Sequence, residues 1–172
     1  MRIAGKIVLP VAVSVAMSAI GGCGQPFGRV DVREGGVPQG VALPGPSAVV
    51  AGFSPAQISV HPLSRLEGVG DARRAVVHIQ VVDTYGQDIK WPGAVGVETA
   101  PSDSFADPRS HWVDLTAGEA NARVFDSISR CYAVRVPAPG VGRVYVKVRW
   151  MMSEADGKAV ELQAQGVLLE PK

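Results

Sequence analysis

Apolar and polar residues alternate along several short stretches of the chain. In one of them, residues 74–82, every second position is apolar: Ala75, Val77, Ile79 and Val81. A period of two is typical of a β-strand with one buried face, and the β-branched residues Val and Ile favour a strand over a helix. Residues 143–152 alternate in the same way, with Val148 and Trp150 on the apolar face. We therefore predict two strands here and place Val148 and Trp150 in the core.

Further segments have the pattern or the composition of short strands, with turn-forming Gly, Pro and Asp between them. In chain order the predicted strands are residues 58–61, 75–82, 94–99, 111–115, 123–125, 131–136, 143–152 and 159–169. No segment keeps a 3.6-residue period, although residues 118–121 could form one helical turn. Short strands separated by turn residues are typical of an antiparallel sandwich. We predict an all-β fold, an antiparallel β-sandwich of seven to eight strands, which forms one domain over residues 53–172.

The last two predicted strands form a hairpin whose register follows from the parity of their apolar positions. A three-residue loop at residues 155–157 pairs the apolar positions on one face: Met152 with Val160, Trp150 with Leu162, and Val148 with Ala164. A two-residue loop would turn the two apolar sets to opposite faces of the sheet. We therefore predict the three-residue loop, with Gly157 in the left-handed region, and add Leu162 to the predicted core.

The first 22 residues have the layout of a secretory signal peptide. Arg2 and Lys6 precede an apolar run at residues 7–20, which is too short for a good membrane-spanning helix. The segment ends in Ile20-Gly21-Gly22-Cys23. These four residues resemble the lipobox of bacterial lipoproteins, in which the cysteine is lipidated and the chain is then cleaved in front of it. The resemblance implies that Cys23 anchors the mature protein in the membrane; an ordinary signal peptide with an incidental cysteine is the alternative.

Residues 23–52 are rich in Gly and Pro and show no sustained apolar period. This composition is typical of a disordered linker, so we predict a tether of about 30 Å root-mean-square span between Cys23 and the sandwich. Gly24 follows the cysteine, where an Asp in proteobacterial lipoproteins would oppose passage to the outer membrane. The resemblance therefore implies a protein of the cell envelope, in the outer rather than the inner membrane, facing the periplasm or the exterior.

Charge and cysteine content add two constraints. The chain has 17 basic and 16 acidic side chains, and removal of Arg2 and Lys6 with the signal peptide leaves 15 basic against 16 acidic. Near-neutral charge without a basic run argues against nucleic acid as a partner and against electrostatic membrane binding. With Cys23 lipidated, Cys131 is the one cysteine left, so the sequence predicts no intramolecular disulfide.

Polar motifs in the predicted sandwich resemble those of a group of uncharacterised bacterial lipoproteins. The motifs are His61-Pro62-Leu63-Ser64-Arg65, Asp83 with Gly86, Asp88, Lys90 and Gly93, and Asp126-Ser127-Ile128-Ser129-Arg130 with Tyr132. The resemblance implies a single immunoglobulin-like or transthyretin-like sandwich and an envelope location, and it brings no catalytic residue. Phe125 departs from the pattern, which has a tryptophan at that position.

Candidate catalytic residues are few. His61, His78 and His111 lack the spacing that would place two of them on one metal ion, and no serine lies in a G-x-S-x-G or S-x-x-K motif. Two arginines near Cys131 could lower its pKa, although a structural cysteine is the expectation. We therefore predict no enzymatic activity and no cofactor.

Carboxylates in predicted turns leave one alternative open. Asp83, Asp88 and Asp126 lie in or beside loops, and carboxylates that meet at one end of a sandwich would hold Ca²⁺. Asp is also a common turn residue, because its side chain bonds to its own backbone. The preferred function is a non-catalytic envelope module that binds a protein or cell-wall partner. The alternative is a loop-built Ca²⁺ or small-ligand site, with enzymatic activity as a further possibility.

Overall fold

The computed structural model of the protein describes residues 32–34, 54–153 and 158–170. In these ranges the chain forms ten strands and two short helices. In chain order they are β1 (Val32–Glu34), β2 (Pro55–Val60), β3 (Arg65–Glu67), a 3₁₀ helix (Gly70–Ala72), β4 (Arg74–Asp83), β5 (Ala94–Ala100), β6 (Arg109–Asp114), α1 (Gly118–Val124), β7 (Phe125–Asp126), β8 (Cys131–Pro137), β9 (Val144–Ser153) and β10 (Ala159–Leu168).

Two antiparallel sheets pack against each other, which confirms the predicted all-β antiparallel sandwich. The first sheet has the order β1-β6-β5-β9-β10, and the second has the order β2-β4-β8-β7. Strand β3 also pairs with β4, on the edge that β2 occupies. The short edge strands β1, β3 and β7 raise the number above the predicted seven to eight, because two or three residues are too few to show a period.

The apolar alternation predicted the core. The apolar positions of β4 are buried between the sheets, and Trp150 and Val148 of β9 are completely buried. Leu162 of β10 is half-buried and packs against this core. Trp150 and Tyr132 are the largest fully buried side chains of the described residues. The centre of the sandwich therefore contains one large aromatic side chain from each sheet.

The predicted register of the last hairpin is confirmed. Strands β9 and β10 pair in the expected way: Met152 with Val160, Trp150 with Leu162, and Val148 with Ala164. The predicted three-residue loop at residues 155–157, with the left-handed Gly157, lies outside the described residues. The register follows from hydrophobic parity, since a slip by one residue would turn the apolar set of one strand to solvent.

The prediction of a strand at residues 123–125 is wrong. Arg123 and Val124 end helix α1, and only Phe125 belongs to β7. The segment GEANARV contains good helix formers, and Glu119 pairs with Arg123 one turn later, which supports the helix. The predicted helical turn at residues 118–121 is confirmed and is longer than expected. Across the described ranges, no helix is long and apolar enough to cross a membrane.

Part of the predicted tether belongs to the sandwich. Val32–Glu34 forms β1, which pairs with β6 at the edge of the first sheet. The rest of residues 23–52, together with the signal peptide and Cys23, lies outside the described residues. The tether predicted between Cys23 and residue 53 is therefore interrupted by an edge strand.

The strand directions define two ends of the sandwich, which we call distal and proximal. The distal end contains Arg74, Pro137 and Thr99, and the Thr99 hydroxyl joins the sheets there by donating to the Pro137 carbonyl at 3.3 Å. The proximal end contains Asp83, which pairs with Pro55 at the start of β2. The two ends of β4 are roughly 30 Å apart, given the rise of a strand residue.

Candidate functional site

A cleft of about 480 Å³ opens at the distal end of the sandwich. It lies between the 3₁₀ helix with the start of β4, the end of β8 with the loop after it, and the start of β6. Its lining residues are Gly70, Asp71, Arg73, Arg74, Arg109, Pro137, Ala138, Gly140 and Val141. Three of these are arginines and one is an aspartate, so the cleft is basic.

Arg73 forms the buried base of the cleft. Its side chain is 3% exposed and donates hydrogen bonds to the carbonyls of Pro139 at 2.8 Å, Gly140 at 2.7 Å, and Gly142. It also forms an ion pair with Glu170 at 3.0 Å. A buried guanidinium needs such partners, and here they come from the loop after β8 and from the segment after β10. Arg73 therefore fixes one wall of the cleft rather than offering a free charge.

The loop held by Arg73 depends on two glycines. Gly140 and Gly142 have φ angles of +55° and +80°, in the left-handed region that glycine adopts at little cost. Three carbonyls of this short loop can then converge on one guanidinium. The β8–β9 connection therefore forms one wall of the cleft, and the Arg73 side chain holds this wall beside the start of β4.

Arg74 and Arg109 lie at the rim of the cleft and are exposed. One terminal nitrogen of Arg74 donates to the carbonyls of Asp71 at 3.0 Å and Arg73 at 2.9 Å. In the described part of the chain, neither rim arginine forms an ion pair with a carboxylate. Asp71 is the one acidic residue among the described residues of the lining. The rim thus carries two positive charges that no carboxylate of the described residues compensates through an ion pair.

Large apolar side chains are exposed on the same distal connections. Val69 is 84% exposed beside the 3₁₀ helix, Val141 is 89% exposed at the cleft, and Leu169 is 66% exposed after β10. Aliphatic side chains exposed beside arginines are suited to a contact surface, where a partner would remove them from water. The distal end therefore combines positive charge with apolar area.

The three predicted carboxylates lie toward the proximal end, and each has its own local partners. One oxygen of Asp83 accepts the backbone N–H groups of Tyr85 at 2.8 Å and Gln87 at 2.9 Å. Asp88 accepts from the amide of Gln80 at 2.7 Å and lies 3.8 Å from the guanidinium of Arg130. Asp83 therefore closes a turn, and Asp88 belongs to a polar network on the outer face of the second sheet.

Asp126 also serves a turn. Its carboxylate accepts the backbone N–H of Ile128 at 2.9 Å and the hydroxyl of Ser129 at 2.8 Å, and these bonds lower the pKa of Asp126. In residues 54–153 and 158–170, no three His, Cys, Asp or Glu side chains come together as a metal-binding group. The structure thus does not bring Asp83, Asp88 and Asp126 into one site.

His78 lies on the outer face of β4, yet it is buried. The segment at β3 covers it: the Ser64 hydroxyl accepts the His78 backbone N–H at 2.9 Å, and a terminal nitrogen of Arg65 lies 3.4 Å from Nε2. Burial, followed by the positive charge of Arg65, lowers the pKa of His78. This shift favours the neutral imidazole, and the contacts of His78 are those of a structural residue.

Cys131 is buried on the same outer face, and its thiol donates to the carbonyl of Ser129 at 3.3 Å. Burial raises the pKa of Cys131, which is opposite to the lowering that the neighbouring arginines could have caused. Of the other histidines, His61 accepts the backbone N–H of Leu63 at 3.3 Å in the turn after β2, and His111 is buried in β6. None of these residues lines the cleft.

Comparison with known proteins gives no relative. No protein-family model matches the chain, and no curated protein and no solved structure matches it.

Sequence reasoning did not single out Arg73, Arg74 or Arg109. The signal for them is weak: Arg73 and Arg74 directly precede one predicted strand, and Arg109 precedes another. Bringing them to one cleft requires the sheet order and the strand directions, and hydrophobic periodicity specifies neither.

Proposed function

We propose that the protein is a lipid-anchored, non-catalytic binding module of the bacterial cell envelope. In this proposal the lipid on Cys23 holds the chain in the membrane, and the distal cleft binds an envelope protein or a cell-wall component. The observation that carries the proposal is the position of the basic cleft at the end of the sandwich opposite to the points at which the chain enters it.

The strand directions support this arrangement. The segment from Cys23 reaches the first sheet at Val32, whose partner Val113 lies toward the proximal end of β6, and it reaches the second sheet at Pro55, opposite Asp83. The cleft lies at the other end of β4, roughly 30 Å away. A module anchored through Cys23 would therefore direct Arg74, Arg109 and Val141 away from the membrane, toward a partner in the periplasm or outside the cell.

The chemistry of the cleft supports binding rather than catalysis. Among the residues that the structure describes, its lining contains no His, Cys, Ser or Lys. An arginine stays protonated at physiological pH, so it holds anions well and transfers protons poorly. The two rim arginines, Arg74 and Arg109, therefore suit a site that recognises a negatively charged group without changing it.

A site-specific crosslinking experiment tests the proposal. A photoreactive amino acid is placed at Val141 in the cleft or at Ile128 in the turn before β8, which is 93% exposed at the proximal end. Both variants are expressed at natural abundance and irradiated in native envelopes. We expect Val141 to crosslink one defined envelope protein or cell-wall fragment and Ile128 to crosslink it far less. Equal crosslinking from both positions, or none from Val141, would contradict the proposal.

A further inference from the structure

The rim of the distal cleft carries two guanidinium groups that form no ion pair within the described residues. Arg74 is the first residue of β4 and Arg109 is the first residue of β6, so the two arginines belong to different sheets. Both line one cleft. A group bound between them would contact residues of both sheets, and the two positive charges would favour a negatively charged group.

The number of free donors favours one class of anion. A guanidinium binds a carboxylate through two parallel hydrogen bonds, so one arginine already satisfies both carboxylate oxygens. A phosphate monoester has three terminal oxygens and carries nearly two negative charges near neutral pH. Two arginines from opposite sides of a cleft match such a dianion in both charge and number of acceptors.

The cleft is also organised before any ligand arrives. One nitrogen of Arg74 is fixed by the carbonyls of Asp71 and Arg73, which leaves its other donors for a ligand. Arg73 itself is occupied by Glu170 and the loop carbonyls, and it holds the wall that contains Val141. A guanidinium restrained in this way loses less rotamer freedom on binding.

The cleft has room for a ligand larger than a phosphate ion. Pro137, Ala138 and Val141 provide apolar wall in a cleft of about 480 Å³. We propose that the distal cleft binds a phosphate monoester, whose phosphoryl oxygens accept hydrogen bonds from Arg74 and Arg109 and whose ester group lies against Val141. This inference rests on the proposed function, because it names the ligand class of the same cleft.

Asp71 provides a sensitive internal test. It is exposed in the 3₁₀ helix, and no other acidic residue lines the cleft in the part of the chain that the structure describes. A carboxylate beside a bound phosphate costs affinity through like-charge repulsion. Asp71→Asn should therefore tighten binding by roughly two- to fivefold, a gain that a misfolded variant cannot produce.

The experiment is calorimetric titration of the full-length chain in detergent micelles, at constant ionic strength and about pH 8, where phosphate is a dianion. The probes are inorganic phosphate, glucose 1-phosphate and acetate. We expect glucose 1-phosphate to bind more tightly than phosphate, and both to bind at least roughly tenfold more tightly than acetate. Arg74→Gln and Arg109→Gln should each weaken phosphate binding by roughly tenfold. Arg123→Gln on α1, with the same change of charge away from the cleft lining, should leave it unchanged.

Several outcomes would overturn the inference. Acetate binding as tight as phosphate binding would identify a carboxylate site, and an equal loss in Arg123→Gln would show binding to net charge alone. Equal affinities for phosphate and glucose 1-phosphate would show that the ester group makes no contact with the cleft. Absence of phosphate binding, together with a defined crosslink from Val141, would reject the phosphate ligand and leave the binding module standing.

Discussion

The Tyr132 ring meets the Trp150 indole edge to face, with the ring centroids 4.7 Å apart and an interplanar angle of 70°. Tyr132 belongs to β8 in the second sheet and Trp150 to β9 in the first, so this contact joins the sheets at the centre of the core. The Tyr132 hydroxyl accepts the backbone N–H of Trp91 at 2.7 Å and lies 3.2 Å from Oδ1 of Asn121. One side chain thus ties the core to the β4–β5 connection and to helix α1.

Tyr132→Phe should destabilise the protein by about 1–3 kcal/mol. The ring packing is kept, but the backbone N–H of Trp91 and the amide of Asn121 lose a partner in the interior. Denaturant-induced unfolding measures the change, with Tyr145→Phe on the outer face of β9 as the control. A loss as small as that of Tyr145→Phe would show that the hydroxyl network contributes little to stability.

The raised pKa of Tyr132 predicts a loss of stability at alkaline pH. Burial raises the pKa of Tyr132 to about 12, above its ordinary value of 10.0. The stability from this group is present below pH 10, and above it the unfolded chain loses the proton while the folded protein keeps it. We expect the free energy of unfolding to fall by about 1.4 kcal/mol per pH unit from this group between about pH 10 and 12. The difference in slope between wild type and Tyr132→Phe in this range isolates the effect, and identical slopes would contradict it.

Hydrophobic alternation was sufficient to predict the core and the last register. Trp150 and Val148 alternate with polar neighbours over a long strand, and only one parity of β9 against β10 buries both apolar sets. The same reasoning could not find β1, which is three residues long, nor the helical state of Arg123, because the seven residues of α1 are too few to show a sustained helical period. The cleft could not be predicted from the sequence, because Arg74 and Arg109 are 35 positions apart and come to the same cleft only through the order of the strands in the sheets.

Gly93 allows a close approach that a larger residue would prevent. A Cβ atom added there would lie 2.4 Å from Nε1 of Trp150 and 2.6 Å from the carbonyl oxygen of Met151. Gly93→Ala should therefore lower the free energy of unfolding by about 1–3 kcal/mol, because the added methyl group would overpack against β9. Gly118→Ala at the start of α1 is the matched control, since nothing lies within 4 Å of its added Cβ, and it should be neutral or slightly stabilising. Similar unfolding free energies for the two variants would show that the residues around position 93 shift to accommodate the methyl group at little cost.

Cys131 should be slow to react in the folded protein. The thiol is buried and its pKa is raised, so little thiolate is present at neutral or mildly alkaline pH. We expect iodoacetamide at about pH 8 to modify Cys131 many times faster after unfolding than before it. Mass spectrometry of native and urea-treated protein measures the two rates, and rapid modification of the native protein would place the thiol at the surface.

Cys23→Ala should leave the precursor unprocessed. In the lipobox that residues 20–23 resemble, the thiol accepts the lipid before cleavage, so removal of the sulfur should block both steps. Two or more acyl chains suffice for stable anchoring, and the wild-type protein should therefore enter the detergent phase in a mature form. Cys131→Ala, which removes the other cysteine, should be processed and partitioned like the wild type. If Cys23→Ala instead yielded a soluble protein cleaved after Gly22, the segment would be an ordinary signal peptide. The distal cleft would then belong to a protein released from the membrane rather than held on it.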